Sequence, residues 1–444
     1  MEPLQEKPDE IKVNTPSCIT FFIFILILSI IPLVAITIGI HYQSKCPINR
    51  FIPICLIVLG SSSLGLVLFS DLFFLNLALS KFPGDSNSTR INQTERYYKP
   101  ITDLVRNQSA RILGSFINRQ PRRIDTHHHI VPEFYAQAVQ ETGGDPSGWP
   151  TPKWYPQLAK RSMSLLGVEL AIVSITAPGT KIYEGNKEKG RVLARKLNEY
   201  SADLVKNNTG KFGFFASLPS LIDVEGTIAE IDYAHSILKA DGFTLFTSYD
   251  HGKYLGHSLF QPIWAKLSEI NPVVFIHPSE APTTKVNCYM PQPLVDYPHE
   301  TTRTVADLVL SGTRAAFPNI NIILSHAGGT LPFLAQRIAG AGFIRSLSCP
   351  RGPRQILSDL RSFYFDTALS SSVPQLKALL EFADHSKIVF GSDIPYASLP
   401  VSLYMTKCLD AFFNKNYNTT KRKDLWHNIN RNNAKALFPH KIKD

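Results

Sequence analysis

The sequence predicts an α/β chain whose centre is a (β/α)8 TIM barrel, with a cap inserted after strand one and an N-terminal two-helix transmembrane hairpin ahead of it. Three observations predict this. From Arg122 onward, eight short runs of β-branched and aromatic residues alternate with longer amphipathic segments, the pattern of repeated βα units around a parallel sheet. Four of those runs end in histidine or aspartate, although a strand buried on both faces should be apolar throughout. Before residue 81, two long stretches are nearly free of charge.

Composition narrows the classes. With 444 residues and 44% hydrophobic content, the chain can bury a large core. The formal charge is +10, yet Lys and Arg are scattered, with no block of five or six and no alternation with aromatics. That argues against a nucleic-acid partner. Six cysteines occur without any C-x-x-C spacing, which speaks against a zinc knuckle or a disulfide scaffold and suits a reducing compartment.

Residues 1–17 read as a polar tail and 18–80 as two transmembrane helices. No charged side chain lies between Val13 and Ile40, and Phe51 to Ser80 carries only Asp71. Each run exceeds the roughly 20 apolar residues that a bilayer crossing needs. Asp71 reads as an end-of-span residue rather than an intramembrane functional group. The tail is slightly acidic and the first apolar run is long, unlike a cleaved signal peptide. Lys7, Lys12, Lys81, Arg90, Arg96 and Lys99 flank the pair, against Lys45 and Arg50 between the spans, so the expectation is a two-pass membrane protein with a cytosolic catalytic domain. Sequons at Asn87, Asn92, Asn107, Asn207 and Asn418 would suit a lumenal face instead. Residues 81–121, rich in Asn, Ser, Arg and Gln, read as a linker.

The barrel domain spans 122–444. Its strands are expected at "RRIDTHH", "LAIVSIT", "FGFFASLP", "GFTLFTS", "VVFIHP", "NIILSHAGG", "FYFDTA" and "KIVFGSDIP". Eight units over some 300 residues match a closed barrel in strand number and size. The stretch from Pro132 to Leu166, with "GGDPSGWPTPKW", is too long for a simple connection and is expected to cap the barrel mouth.

In such a barrel, chemistry gathers at the C-terminal strand ends. There the sequence places His127 and His129, then His277, His326 and Asp393. Side chains in a strand alternate, so His127 and His129 face one side and His128 the other. An H-x-H alone is weak, but joined by His277 and Asp393 it predicts a centre for one divalent metal. Three imidazoles and a carboxylate suit Zn2+, with Mn2+ possible. His326 is open to three readings: a fifth ligand, a core histidine, or, as favoured here, a general acid/base. Asp366 reads equally as a hydrogen-bond support or a solvated rim residue. The remaining histidines at 235, 251, 257, 299, 385 and 427 fall in helices or polar loops. Strand four has no lysine at its end, so one metal is expected rather than two. No G-x-G-x-x-G follows strand one, and no nucleotide cofactor is expected.

The segments "RRIDTHHHIVP", "VVFIHP", "IILSHAGGTLPFLAQRIAG" and "IVFGSDIPY" resemble the amidohydrolase superfamily. Within it they are similar to the branch containing aminocarboxymuconate semialdehyde decarboxylase and γ-resorcylate decarboxylase. "GGDPSGWP", "SITAPGT" and "YLGHSLFQPIW" resemble the fungal 6-methylsalicylate decarboxylases in particular. The resemblance covers residues 122 to 440 and implies nonoxidative loss of CO2 from an ortho-hydroxybenzoate, 6-methylsalicylate to m-cresol, in fungal polyketide metabolism. It also implies that His127, His129, His277 and Asp393 are the ligands and that His326 and Asp393 are catalytic. Arg337, eleven residues past His326, matches an arginine that binds substrate across a subunit boundary in the semialdehyde decarboxylase, which implies a homodimer. That relative has a second, clamping arginine where "GDPSGWPTP" has none, so a small aromatic monoacid packed on Trp149 or Trp154 is the expected substrate. A metal-dependent lactone or amide hydrolase is the alternative activity on the same ligands, and a catalytically silent membrane scaffold is a third reading.

Overall fold

The computed structural model describes residues 122–442, apart from 251, 283–289, 348, 350 and 417–419. The tail, hairpin and linker expected over 1–121 lie outside those residues. Among the described residues no helix is long and apolar enough to cross a membrane. The two-pass localisation with a cytosolic catalytic domain is therefore corrected. Helices such as Lys187–Asn207 and Asp296–Leu310 bury one face and leave charged residues on the other.

Eight parallel strands run in simple sequential order: β1 (Arg123–His129), β2 (Val168–Ser174), β3 (Phe212–Ala216), β4 (Gly242–Phe246), β5 (Val273–His277), β6 (Asn321–Leu324), β7 (Tyr364–Asp366) and β8 (Ile388–Val389). The last joins the first. The Thr126 N–H donates to the Phe390 carbonyl at 3.0 Å and the His129 N–H to the Ile394 carbonyl at 2.6 Å. Closure removes the open edges of this eight-stranded sheet. Inside, Ile172, Phe215, Phe275, Ile323 and Val389 pack into one buried group, with Phe215 and Phe275 stacked at 5.3 Å. Phe275 also stands edge-on to His127, ring centres 5.0 Å apart. The barrel is a filled core with its polar groups lifted to one rim.

Arg123, 1% exposed, anchors β1 from below. It donates to Asn430, to the Leu166 carbonyl and, with one terminal nitrogen, to both Asp410 oxygens at 2.7 Å. The insertion after β1 folds as α1 (Glu133–Glu141), a Gly- and Pro-rich loop, and α2 (Pro156–Leu166), which stops at Gly167 with φ 67°. Within that insertion Trp154 is buried against Tyr200, so its role is packing. Several strands end sooner than the sequence suggests. As continuous strands, "NIILSHAGG" stops at Leu324 and "KIVFGSDIP" at Val389, the latter still bonding to β1 through Phe390 and Ile394, and beyond the strands the backbone takes positive φ at His326 (55°), Ala327 (57°) and Asp393 (61°). Such conformations are strained for residues other than glycine and gather at functional sites.

Candidate metal centre

The imidazoles of His127 and His129 emerge from β1 on one side, fully buried, with their Nε2 atoms 3.0 Å apart. Asp393, carried past the end of β8, places Oδ1 at 3.3 Å from the first and 3.2 Å from the second. His277, the last residue of β5, packs edge-to-face on both rings at 5.2 and 4.9 Å. His326 brings Nε2 to 3.4 Å from Asp393 Oδ2. Ligand atoms of His127, His277, His326 and Asp393 all lie within 4.8 Å of one another.

Each ring is held from behind. His127 Nδ1 lies 2.8 Å from Asp366 Oδ2, His129 Nδ1 lies 3.0 Å from Ser174 Oγ, and His277 Nδ1 donates to the Pro278 carbonyl at 2.7 Å. With Nδ1 engaged, Nε2 of His127 and His129 is turned toward the common centre, the arrangement that fixes metal-binding imidazoles. Asp366 is fully buried, and its other oxygen accepts the N–H groups of His326 and Ala368, both at 2.9 Å. The alternative of a solvated rim residue is thus excluded. His128 points the other way, toward Asp125 at 3.0 Å.

His127 Nε2, His129 Nε2 and Asp393 Oδ1 lie within 3.3 Å of one another, and with His129 neutral a single proton serves all three contacts. The Nδ1 of His326 is buried without a partner. Donors spaced about 3 Å apart match neighbours on a cation with bonds of about 2.0–2.2 Å, so these residues fit a divalent metal. Their electrostatics agree. Burial opposes charge on His127, but Asp366 and Asp393 outweigh it and hold the imidazole up to about 10. Burial brings His129 down to about 4 and His277 well below the usual histidine range. Asp393 is held well below the carboxylate range because, against its burial, His127, His129 and His326 favour the anion.

Above the cluster opens a cavity of about 590 Å³. His277, His326 and Asp393 form part of its floor, Tyr297 and Tyr396 part of its walls, and Leu294, Val401 and Met405 add apolar surface. Tyr396 stands edge-on to His129 with centres 5.7 Å apart. The cap contributes Trp149 and Asp145. Arg337 is exposed on the helix Leu331–Ala339 and is absent from this cavity's lining within its own chain. His235, His257, His299, His385 and His427 are exposed, and His251 lies outside the described residues. Sequence reasoning missed Asp145, Tyr297 and Tyr396. Only "GSDIPY", with Tyr396 three residues past Asp393, offered a usable signal.

Residues 124–439 match the family model described as amidohydrolase. The chain is 45% identical over 292 residues to a 6-methylsalicylic acid decarboxylase from Penicillium expansum, covering 65% of this chain and 90% of that protein. It is 43% identical to the 6-methylsalicylic acid decarboxylase acuB of Aspergillus aculeatus over 298 residues, 65% of this chain and 88% of that one. Among solved structures, a dihydroxybenzoic acid decarboxylase from a Polaromonas species, with bound manganese and 2-nitroresorcinol, superimposes with a TM-score of 0.59 at 20% identity, over 73% of this chain and 98% of that one.

Proposed function

Since the chain belongs to the amidohydrolase family, we propose that it is a metal-dependent carboxy-lyase acting on an ortho-hydroxybenzoate, with 6-methylsalicylate going to m-cresol and CO2. The observation that carries this reading is the convergence of four buried donors, three rings pinned from behind, at the floor of a cavity walled by aromatic and aliphatic side chains.

His127, His129, His277 and Asp393 are assigned as the ligands. Zn2+ suits three imidazoles and one carboxylate, and Mn2+, the ion in the Polaromonas protein, suits the same set. Bound there, a dication supplies Lewis-acid stabilisation of charge on the substrate's carboxylate and hydroxyl oxygens. The chain's own residues do the rest. Trp149 and Tyr396 line the cavity and offer aromatic surface against which the substrate ring would pack. Asp393 Oδ2, 3.4 Å from His326 Nε2, forms with it a pair able to hold one proton at the cavity floor. Delivered to the ring carbon bearing the carboxylate, that proton makes the carbon tetrahedral. The C–C bond then breaks, its electrons restore the aromatic ring, and CO2 leaves. Arg337 is assigned to a homodimer contact, since Phe333, Phe343, Ile344 and Leu347 are exposed on the same helix and the turns after it.

Incubation with 6-methylsalicylate in 18O-water tests the reading. Mass spectrometry should find m-cresol with no label incorporated and CO2 released stoichiometrically. A ring-intact or ring-opened product carrying a new, labelled carboxylate would instead identify a hydrolase. Light scattering of the purified protein tests the dimer.

A further inference from the structure

The cavity carries one carboxylate that the proposed chemistry does not use. Asp145 lies in the cap loop between α1 and α2 and borders the same space as His277, His326 and Asp393. Its Oδ1 accepts the Ser147 N–H at 2.8 Å, so the loop itself fixes the carboxylate. Among the described residues lining the cavity there is no lysine or arginine. Thr176, Gln375, Ser370 and Ser398, with the hydroxyls of Tyr297 and Tyr396, are polar, neutral members of the lining.

We propose that Asp145 determines substrate specificity: it confines the cavity to aromatic monocarboxylates by like-charge exclusion of a second carboxylate. The inference rests on the decarboxylase reading above. A dication is offset by Asp393 and by one substrate carboxylate, which leaves Asp145 as the uncompensated charge that any further carboxylate must face. An arginine reaching in from a second copy would neutralise Asp145 and still leave none to spare. Size does not explain such selection. At about 590 Å³ the space falls in the range of drug-sized sites, about 300–1,000 Å³, and a single ring with one more carboxylate fits within it. Burial pushes Asp145 up to about 6, so it remains charged at pH 7.5.

The test measures binding to the metal-loaded full-length protein by calorimetry, with salicylate against 4-hydroxyisophthalate and 2-hydroxyterephthalate, which are salicylates bearing one more carboxylate. Two charges some 6 Å apart in a partly wet site differ enough to expect about tenfold or more in affinity. The wild type should therefore prefer salicylate by at least that factor. Asp145→Asn, which keeps the acceptor for Ser147, should tighten at least one dicarboxylate about tenfold and leave salicylate within about threefold. Asp145→Ser should do the same and covers the case of a misfolded Asn variant, whereas Asp145→Glu should keep the exclusion. A wild type that binds all three alike, or a ratio unmoved in both neutral variants, overturns the proposal. Turnover of 6-methylsalicylate is read separately: its absence with the binding ratios as expected would remove the decarboxylase assignment and leave that of Asp145 in place.

Discussion

Metal capture by this cluster should release about one proton at pH 7.5. In the metal-free protein the four assigned ligands are not equally ready. His129, at about 4, and His277, lower than an ordinary histidine, are already neutral, and Asp393 is already an anion. His127 is the exception. Although burial resists its charge, Asp366 and Asp393 hold it up to about 10, so at pH 7.5 it is cationic in more than 99% of molecules by the logarithmic relation of pKa to population. A cation binding at Nε2 must displace that proton, while Nδ1 keeps its own toward Asp366. The sign follows directly. Affinity should rise with pH by about tenfold per unit up to about 10 and then level off. The same raised value means that the protonated ring stabilises the metal-free fold fully below the unfolded value of 6.5, and that this contribution fades as pH climbs through 10. Titration calorimetry with Mn2+ or Zn2+, repeated at one pH in two buffers of different ionisation heat, counts the protons. No release, or a release of two or more, would refute the assignment of charge to His127 alone.

Three further outcomes follow from the same geometry. His277→Ala should abolish stoichiometric metal, measured by plasma emission, together with turnover; turnover retained without His277 would contradict the ligand set. Asp366→Asn removes the carboxylate behind His127 and should weaken metal binding by about 10–100-fold while cutting the proton release described above, both read in the same titrations. Arg123→Met strands the Asp410 carboxylate, and because Asp410 is 30% exposed the loss should fall at the low end of the cost of breaking a buried pair, about 3 kcal/mol, measured by urea denaturation with the site untouched.

The pairing of His127 and His129 was legible because strand alternation is local: two residues apart on β1, the rings must share a side. His277 and Asp393 were legible as polar ends on otherwise apolar runs. The support behind them was not. Asp366 reaches His127 only because β7 lies close enough to β1 across the rim, a distance set by barrel closure, and no spacing along the chain encodes it. The cavity walls escaped for a related reason. Tyr297 comes from the first turn of the helix Asp296–Leu310, Tyr396 from the loop after β8, and Asp145 from a Gly- and Pro-rich cap loop. None of them sits in a periodic pattern, so only the fold brings them together.

His128, the ring turned away from the centre, shows how far that support extends. Its Nδ1 meets Asp125 Oδ2 at 3.0 Å, and the same carboxylate accepts Ser392 Oγ at 2.5 Å, the Ser392 N–H at 3.1 Å and the His127 N–H at 3.1 Å. One buried anion thus grips the backbone of β1 beside its first ligand and the residue that precedes Asp393. The Asp393 N–H in turn donates to the His127 carbonyl at 2.8 Å. Two segments more than 260 positions apart are fastened at the point where each presents a ligand, and the positive φ of Asp393 is held by those bonds. A strained residue persists only where its surroundings over-determine it. The middle histidine of the triplet therefore serves the centre indirectly, by helping to fix the carboxylate that aligns the ligands on either side of the barrel seam.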